Sequence, residues 1–481
     1  MSGTPDTDAL RSIIGQAVAG TGADCGWSSP VIPGKVTYAG AGESEIAAAV
    51  ELGTKAQSGW AALPPMARQM AMMEWADRIE AEAEAIARLD TIDMGKPISV
   101  ATQEAHIAAF ILRFYASGID KTGGLVAPSA PQALAVSMRR PYGIVGAIIS
   151  WNYPAINTMM KVAPALAAGN AIVLKPSSQA PRSALHMAAL ALETSVPTGL
   201  VSVLSGSSAA GTLMCRHPGV AMLAFTGSTA VGKLIAGIAA EKLVPSIIEA
   251  GGKNPILVCD DVSDLEGLAR DAIAECYANT GQLCVARSKI IIPRALARDL
   301  TDALVAAAEA LGPGDARDAA TQYGPLSSLH HARDVAAAVE AGSVQARLLR
   351  DGRSDDPLML SMSLLAVEDA HSGLLRDEYF GPVLSIASYD RIEDGIAMAN
   401  AGGYGLAATL WTTQIARANA LSPQIVAGHI KVKAQPDLDA GTGMSLPIEP
   451  AGASGYGTEF GIAALDSYSR RQAVEYLGYG M

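Results

Sequence analysis

At 481 residues the chain exceeds what one small core can hold, so two or three domains sharing interfaces are expected. Hydrophobic residues make up 50% of it and charged residues 17%, the composition of a globular enzyme rather than a disordered chain. The formal charge of −12 leaves no basic surplus for neutralising phosphates, which excludes nucleic acid as an expected partner.

The first residues carry neither a basic n-region nor an apolar h-region, and every apolar stretch breaks well short of a membrane span. A cytoplasmic protein without membrane contact is expected. Residues 44–90 repeat apolar positions at spacings of three and four with charges between them, which predicts surface helices. A further helix is predicted over roughly 101–117. Residues 119–140 interrupt the pattern and read as a hairpin leaving the first domain.

Near 140 the texture changes. PYGIVGAIIS, AIVLKP, LVSVLSG and MLAFTGS are short β-branched runs, separated by Ala-rich helical patterns at 158–168, 181–194 and 229–241. Such alternation implies βαβ units, a parallel sheet with helices on both faces, and a nucleotide at the carboxyl ends of the strands. A second α/β series starts near 253 with NPILVC, a helix over 262–278, SKIIIP, a helix over 295–311, and later GPVLSIASY. No internal repeat or low-complexity linker separates the halves.

The five cysteines, Cys25, Cys215, Cys259, Cys276 and Cys284, are odd in number and form no CxxC pair. Neither a disulfide framework nor a metal site is expected from them. Residues 227–233 approach a phosphate loop, but Leu234 stands where that motif needs Ser or Thr for magnesium. The strand before the segment and the helix after it fit a helix N-terminus facing the pyrophosphate of a dinucleotide instead. No GxGxxG follows any of these strands.

Three short segments concentrate polar groups where apolar runs end. SWNYP (150–154) sets Asn152 after a strand and before a proline, EAGGKNP (249–255) ends a run in Glu249 and two glycines, and GQLC (281–284) sets Cys284 among turn-forming residues. Taken alone, each also has a plain structural reading. Together with DMGKP (93–97), LKPSS (174–178), FTGST (225–229), EYFGPVLS (378–385) and SGYGTEFG (454–461), in that order and spacing, they carry a family likeness. From about residue 45 onward the chain resembles the aldehyde dehydrogenase superfamily, in its NAD(P)-dependent, hydrolytic branch.

The resemblance implies roles. Cys284 would attack an aldehyde as thiolate and give a thiohemiacetal. Asn152 and the Cys284 N–H would hold the oxyanion, hydride would pass to the nicotinamide, and Glu249 would activate the water that hydrolyses the thioester. Coenzyme-A-acylating relatives lack that glutamate, so a free carboxylate is the expected product. Lys175 and Glu378 would bind the two riboses, Gly227 and Ser228 the pyrophosphate side, and Trp151 and Phe380 would complete the cofactor site, with core packing the alternative for Trp151. Tyr153, Asn157 and Met160 would line the aldehyde tunnel, with capping or packing the alternative for Asn157.

Departures from the family follow. Ser178 replaces the glutamate of many NAD-preferring members, so NADP should be tolerated or preferred alongside NAD. Ala250 stands for the usual leucine beside the base, which loosens the nicotinamide pocket. Lys433 stands for the usual asparagine, and the loop over 434–453 is longer and lacks aromatics.

The expected fold is α/β and aldehyde-dehydrogenase-like: a parallel-sheet cofactor domain (1–118 and 141–252), an α/β catalytic domain (253–453), and a small β element for oligomerisation (119–140 and 454–481). A homodimer or homotetramer is expected, its tail strand over 470–480 extending a partner's sheet. The competing readings are a non-catalytic binding or structural member of the same fold, and an acyl-transferring dehydrogenase. Esterase activity would be a side reaction of the same thiolate.

Overall fold

The computed structural model describes residues 10–438 and 440–478; the expectations for residues 1–9, Asp439 and 479–481 lie outside them. Two large sheets organise the chain. The middle of the first is five parallel strands in the order Val201–Val203, Ala171–Lys175, Ile144–Ile148, Met222–Thr226 and Ser246–Glu249. Ser12–Ile14 and Ala17–Val18 extend one edge antiparallel, and Gly455–Tyr456 closes the other. All five residues of Ala171–Lys175 are buried, as a strand covered on both faces requires.

Six strands of the second sheet run parallel: Ser363–Val367, Val383–Tyr389, Lys289–Pro293, Pro255–Val258, Ala407–Trp411 and His429–Lys433. Arg347–Arg350 adds an antiparallel edge. Separate apolar clusters cover its two faces, one around Leu268, Leu300 and Trp411, the other around Val335, Leu365 and Leu410. A third, antiparallel sheet joins Leu125–Ala127 to Ala133–Pro141, and the latter to Ser469–Leu477 in nine-residue register.

The helices predicted near the N-terminus are Glu43–Ala62, Pro65–Ala81, Ala83–Met94 and Ile98–Gly118. The first packs on the first sheet and the other three on the helices Pro154–Ala167 and Arg182–Ala191, and the two fully buried indoles find acceptors: Trp60 donates to the Leu166 carbonyl (2.9 Å) and Trp75 to that of Met187 (3.0 Å). Two helix starts differ from the sequence reading for local reasons. Pro154 opens Pro154–Ala167 rather than merely ending a strand, because its missing N–H costs nothing at a first position. The helix expected over 262–278 begins at Leu265, where Asp264 caps it by accepting from the Gly267 N–H. Helices at Ser208–Arg216, Leu329–Gln345, Ile392–Ala399 and Ile415–Leu421 add to those expected. Among the described residues no helix is long and apolar enough to cross a membrane.

Candidate active site

A pocket of about 520 Å³ lies where the carboxyl ends of the first sheet meet the amino ends of the second. Ile148, Lys175, Thr226 and Glu249 reach it from strand ends of the first sheet, and Ala250, Gly251, Cys284, Glu378 and Phe380 from segments leading into the second. Its size is that of a small-molecule site. Asn152, Trp151, Gly227 and Ser228 also line it.

Cys284 is presented by a strained turn. Asn279 (φ 50°), Thr280 (φ 57°) and Gly281 (φ 74°) are successively left-handed, a conformation costly for β-branched threonine. Several contacts hold the turn: Thr280 Oγ1 donates to the Gly324 carbonyl (2.8 Å), Gln282 Oε1 accepts from the Ser327 N–H (2.9 Å), and Asn254 Nδ2 donates to the carbonyls of Cys284 (2.8 Å) and Ala286 (2.9 Å). A Cβ at Gly281 would sit 2.3 Å from the Gly381 backbone. Gly281→Ala is therefore expected to lower stability by at least ~2 kcal/mol and to misplace Cys284. Urea unfolding alongside cofactor titration checks this; an unchanged midpoint would show that the turn relaxes freely.

Burial, and after it the charges of Glu249 and Glu378, push the Cys284 thiol up to about 12. The N–H groups of Val285 and of Cys284 itself act in the opposite direction. Without a further positive charge the group is a thiol, not a thiolate.

Burial also pushes the Glu249 carboxyl well above the ordinary range, and the Lys161 ammonium pulls it back. Lys161 is fully buried and ion-paired with Glu459. Glu249 Oε1 is buried without a hydrogen-bond partner among the described residues. An orphaned carboxylate oxygen facing a pocket is an acceptor in waiting.

Asn152 is buried; its Nδ2 donates to the Gln282 carbonyl (3.1 Å) and its Oδ1 accepts from Ser150 Oγ (2.7 Å). The Trp151 ring packs edge-on against His331 and Phe380, at centroid separations of 5.6 and 5.7 Å. Phe380 itself has a left-handed backbone (φ 52°). Glu378 accepts from the Gly252 N–H (2.8 Å), and burial raises its carboxyl to about 7. A Cβ at Gly251 would stand 1.9 Å from Glu378 Oε2, so the glycine makes room for this carboxylate. Lys175 is buried and makes no ion pair among the described residues, and burial lowers its ammonium to about 8.

Of the other residues expected at the site, Ser178, Tyr153, Asn157 and Met160 are not among those lining this pocket, while Ser177 and Ser208 are. Tyr153 has the Lys96 ammonium 3.7 Å from its ring centroid, and Lys96 is ion-paired with Glu104. The DMGKP segment thus supports the Asn152 loop from behind. Asn157 Nδ2 donates to Ser150 Oγ (2.9 Å). Lys433 pairs with Asp271, and its ammonium lies over the Trp411 ring.

Sequence reasoning missed Lys161, Glu459, Asn254 and Gln282. Glu459, Asn254 and Gln282 lay inside the motifs given above, and Lys161 directly follows Met160; a lysine on an otherwise apolar helix face was the available signal.

The sequence profile of the Aldehyde dehydrogenase family matches residues 34–474. An NADP/NAD-dependent aldehyde dehydrogenase of Escherichia coli is 34% identical over 86% of this chain and 84% of its own. A geranial dehydrogenase of Castellaniella defragrans is 35% identical over 87% of each. Among solved structures, a gamma-glutamyl-gamma-aminobutyraldehyde dehydrogenase from Burkholderia cenocepacia is 33% identical, with a TM-score of 0.93 over 97% of this chain and 96% of that one. A P. syringae indole-3-acetaldehyde dehydrogenase variant, solved with NAD+, superposes equally well at 30% identity over the same shares.

Proposed function

The chain belongs to the aldehyde dehydrogenase family, and on that footing we propose that Cys284 is its nucleophile, Asn152 its oxyanion donor and Glu249 its hydrolytic base. The overall reaction is NAD(P)-dependent oxidation of an aldehyde to its acid. The observation that carries the residue assignment is the convergence, in one pocket, of a cysteine on a strained turn, a fixed amide and a buried carboxylate oxygen without a partner.

Cys284 Sγ bonds to the aldehyde carbon as its proton passes to solvent. The carbonyl oxygen takes up negative charge against Asn152 Nδ2 and the Cys284 N–H, a contact worth ~3 kcal/mol per donor in the transition state. A bound oxidised nicotinamide would supply the positive charge that favours the thiolate and the acceptor for the hydride; loss of that hydride leaves a thioester on Cys284. Glu249 Oε1 then takes a proton from water, whose oxygen attacks the thioester carbon. The carbon–sulfur bond breaks, the carboxylate departs and the thiol is restored. Lys161 favours the ionised form of Glu249 that this step needs.

The residues present fit a dinucleotide. Lys175 is a buried cation that pairs with no carboxylate among the described residues, and Gly227 and Ser228 lead into the N-terminus of the helix Thr229–Lys242, a natural seat for a phosphate. The lining has two carboxylates, Glu249 and Glu378, and neither acts on Lys175. That end of the pocket tolerates a 2′-phosphate, which supports use of NADP alongside NAD. Ser177→Glu, which would add a carboxylate to this lining, is expected to lower kcat/KM for NADP roughly ten-fold, ~1.4 kcal/mol, with NAD little changed. Equal losses with both cofactors would argue against a 2′-phosphate at this end.

The nine-residue strand Ser469–Leu477 is an open sheet edge, which supports the homo-oligomeric reading. The reaction is tested with a panel of aldehydes and either cofactor, following reduced nicotinamide and identifying the product. Carboxylate is the expected product; a thioester formed only with an added thiol would support acyl transfer instead.

A further inference from the structure

An amide can stabilise an oxyanion only if it presents Nδ2 rather than Oδ1, and the shape of the group does not decide which. The contacts of Asn152 do. One side of its amide faces the Gln282 backbone carbonyl, which can only accept, so Nδ2 is on that side at 3.1 Å. Oδ1 therefore faces Ser150 Oγ, 2.7 Å away, and the single hydroxyl proton of Ser150 is committed to it. The Ser150 oxygen is left to accept, and Asn157 Nδ2 donates to it at 2.9 Å. One carbonyl thus fixes the polarity of the whole chain from Asn157 through Ser150 to Asn152.

That carbonyl is itself held. Asn279 Nδ2 donates to the Gln282 oxygen (3.1 Å) and to the Asn152 backbone oxygen (3.3 Å). The turn at Pro154 brings the participants together, since Ser150 precedes it and Asn157 lies on the first turn of the helix Pro154–Ala167. Ser150 lines the pocket beside Asn152.

Resting on the reading of Asn152 as oxyanion donor, we propose that Ser150 and Asn157 are positioning residues that hold the Asn152 amide with one N–H on Gln282 and the other free for the substrate oxygen. Ser150 is the link. Without its hydroxyl, Oδ1 of Asn152 and Nδ2 of Asn157 lose their shared partner, and the amide is free to turn its oxygen toward the oxyanion. Asn157 acts only through Ser150, by keeping the hydroxyl aimed.

The test uses 4-nitrophenyl acetate, which needs neither cofactor nor knowledge of the natural aldehyde. Sγ gives up its proton to solvent and bonds to the ester carbon, the bond to 4-nitrophenolate breaks, and acetyl stays on Cys284 through the same kind of oxyanion. The rate of the first 4-nitrophenolate release is read over a Cys284→Ala background. Asn152→Ala is expected to slow it about 100-fold or more, and Ser150→Ala about 10-fold. Ser150→Thr, which restores a hydroxyl, should return to within about three-fold of the native rate, and Asn157→Leu should lose roughly three- to ten-fold. The double variant Ser150→Ala/Asn157→Leu should be no slower than Ser150→Ala, because both act through one oxygen.

NAD affinity, followed by fluorescence, should stay at the native value in every variant that supports the proposal. A native rate in Ser150→Ala with a slow Asn152→Ala overturns the positioning role and leaves the oxyanion reading intact. A native rate in Asn152→Ala overturns both. Additive losses in the double variant, or a Ser150→Thr as slow as Ser150→Ala, overturn the proposal. If Ser150→Ala does not bind NAD, Asn157→Leu and Ser150→Thr decide by the same criteria.

Discussion

Replacing Cys284 by alanine is expected to lower aldehyde oxidation by roughly 10⁴-fold or more, while NAD affinity stays within about two-fold of native. The size follows from the role, since without the sulfur neither the thiohemiacetal nor the thioester can form. Among the described residues the other four cysteines offer no substitute. Cys215, Cys259 and Cys276 are buried in the packed interior, and Cys25 donates to the Tyr38 carbonyl; none of the four lines this pocket. Alanine removes little volume from a site that already has one face open to the pocket, so folding should be preserved. Residual turnover near the native rate, with the cofactor bound, would remove Cys284 from the reaction.

Glu249→Gln should separate the two halves of the reaction. The first equivalent of reduced nicotinamide per site is expected at close to the native rate, followed by steady turnover slower by about 100-fold or more. The pH dependence gives a second signature. Only ionised Glu249 can accept a proton, and burial raises its pKa while Lys161 partly opposes the rise. Hydrolytic turnover in the native protein should therefore increase with pH through a midpoint above the ordinary carboxylate range, and fall away as the pH drops through it. In Glu249→Gln that rise in steady turnover should vanish, while the initial phase still quickens with pH as the Cys284 thiol ionises. A variant that loses both phases equally would place Glu249 in the acylation step as well.

The sequence revealed the parts of this protein that depend on local pattern. The alternation of β-branched runs with Ala-rich helices gave the parallel sheets, and Asn152, Glu249 and Cys284 stood out because polar groups ended apolar runs. All three line the same pocket. Relations between distant residues were not legible in the same way. Lys161 and Glu459 are far apart in the chain, and only the folded structure shows that they pair beside Glu249. Likewise, nothing local says that Asn157 aims at Ser150 rather than into a tunnel.

Side-chain direction was the other gap. Ser178 was singled out by its spacing from Lys175, yet the turn after the strand Ala171–Lys175 gives Ser177 to the pocket lining. Lys433 was noted only as standing for the usual asparagine; in the strand His429–Lys433 its side chain reaches Asp271 and Trp411. The helix Ser208–Arg216 was missed because it is only nine residues long and two of its four buried positions are the small Ala210 and Gly211.

The most direct test of the account is to catch the intermediate. Glu249→Gln would be mixed with NAD and an aldehyde turned over by the native protein, quenched in acid within the first turnover, and digested for peptide mass spectrometry. The account predicts that the peptide carrying Cys284 gains the mass of the aldehyde less two hydrogens, in step with the reduced nicotinamide formed. Reduced nicotinamide without that adduct, or the adduct on another cysteine, would contradict it.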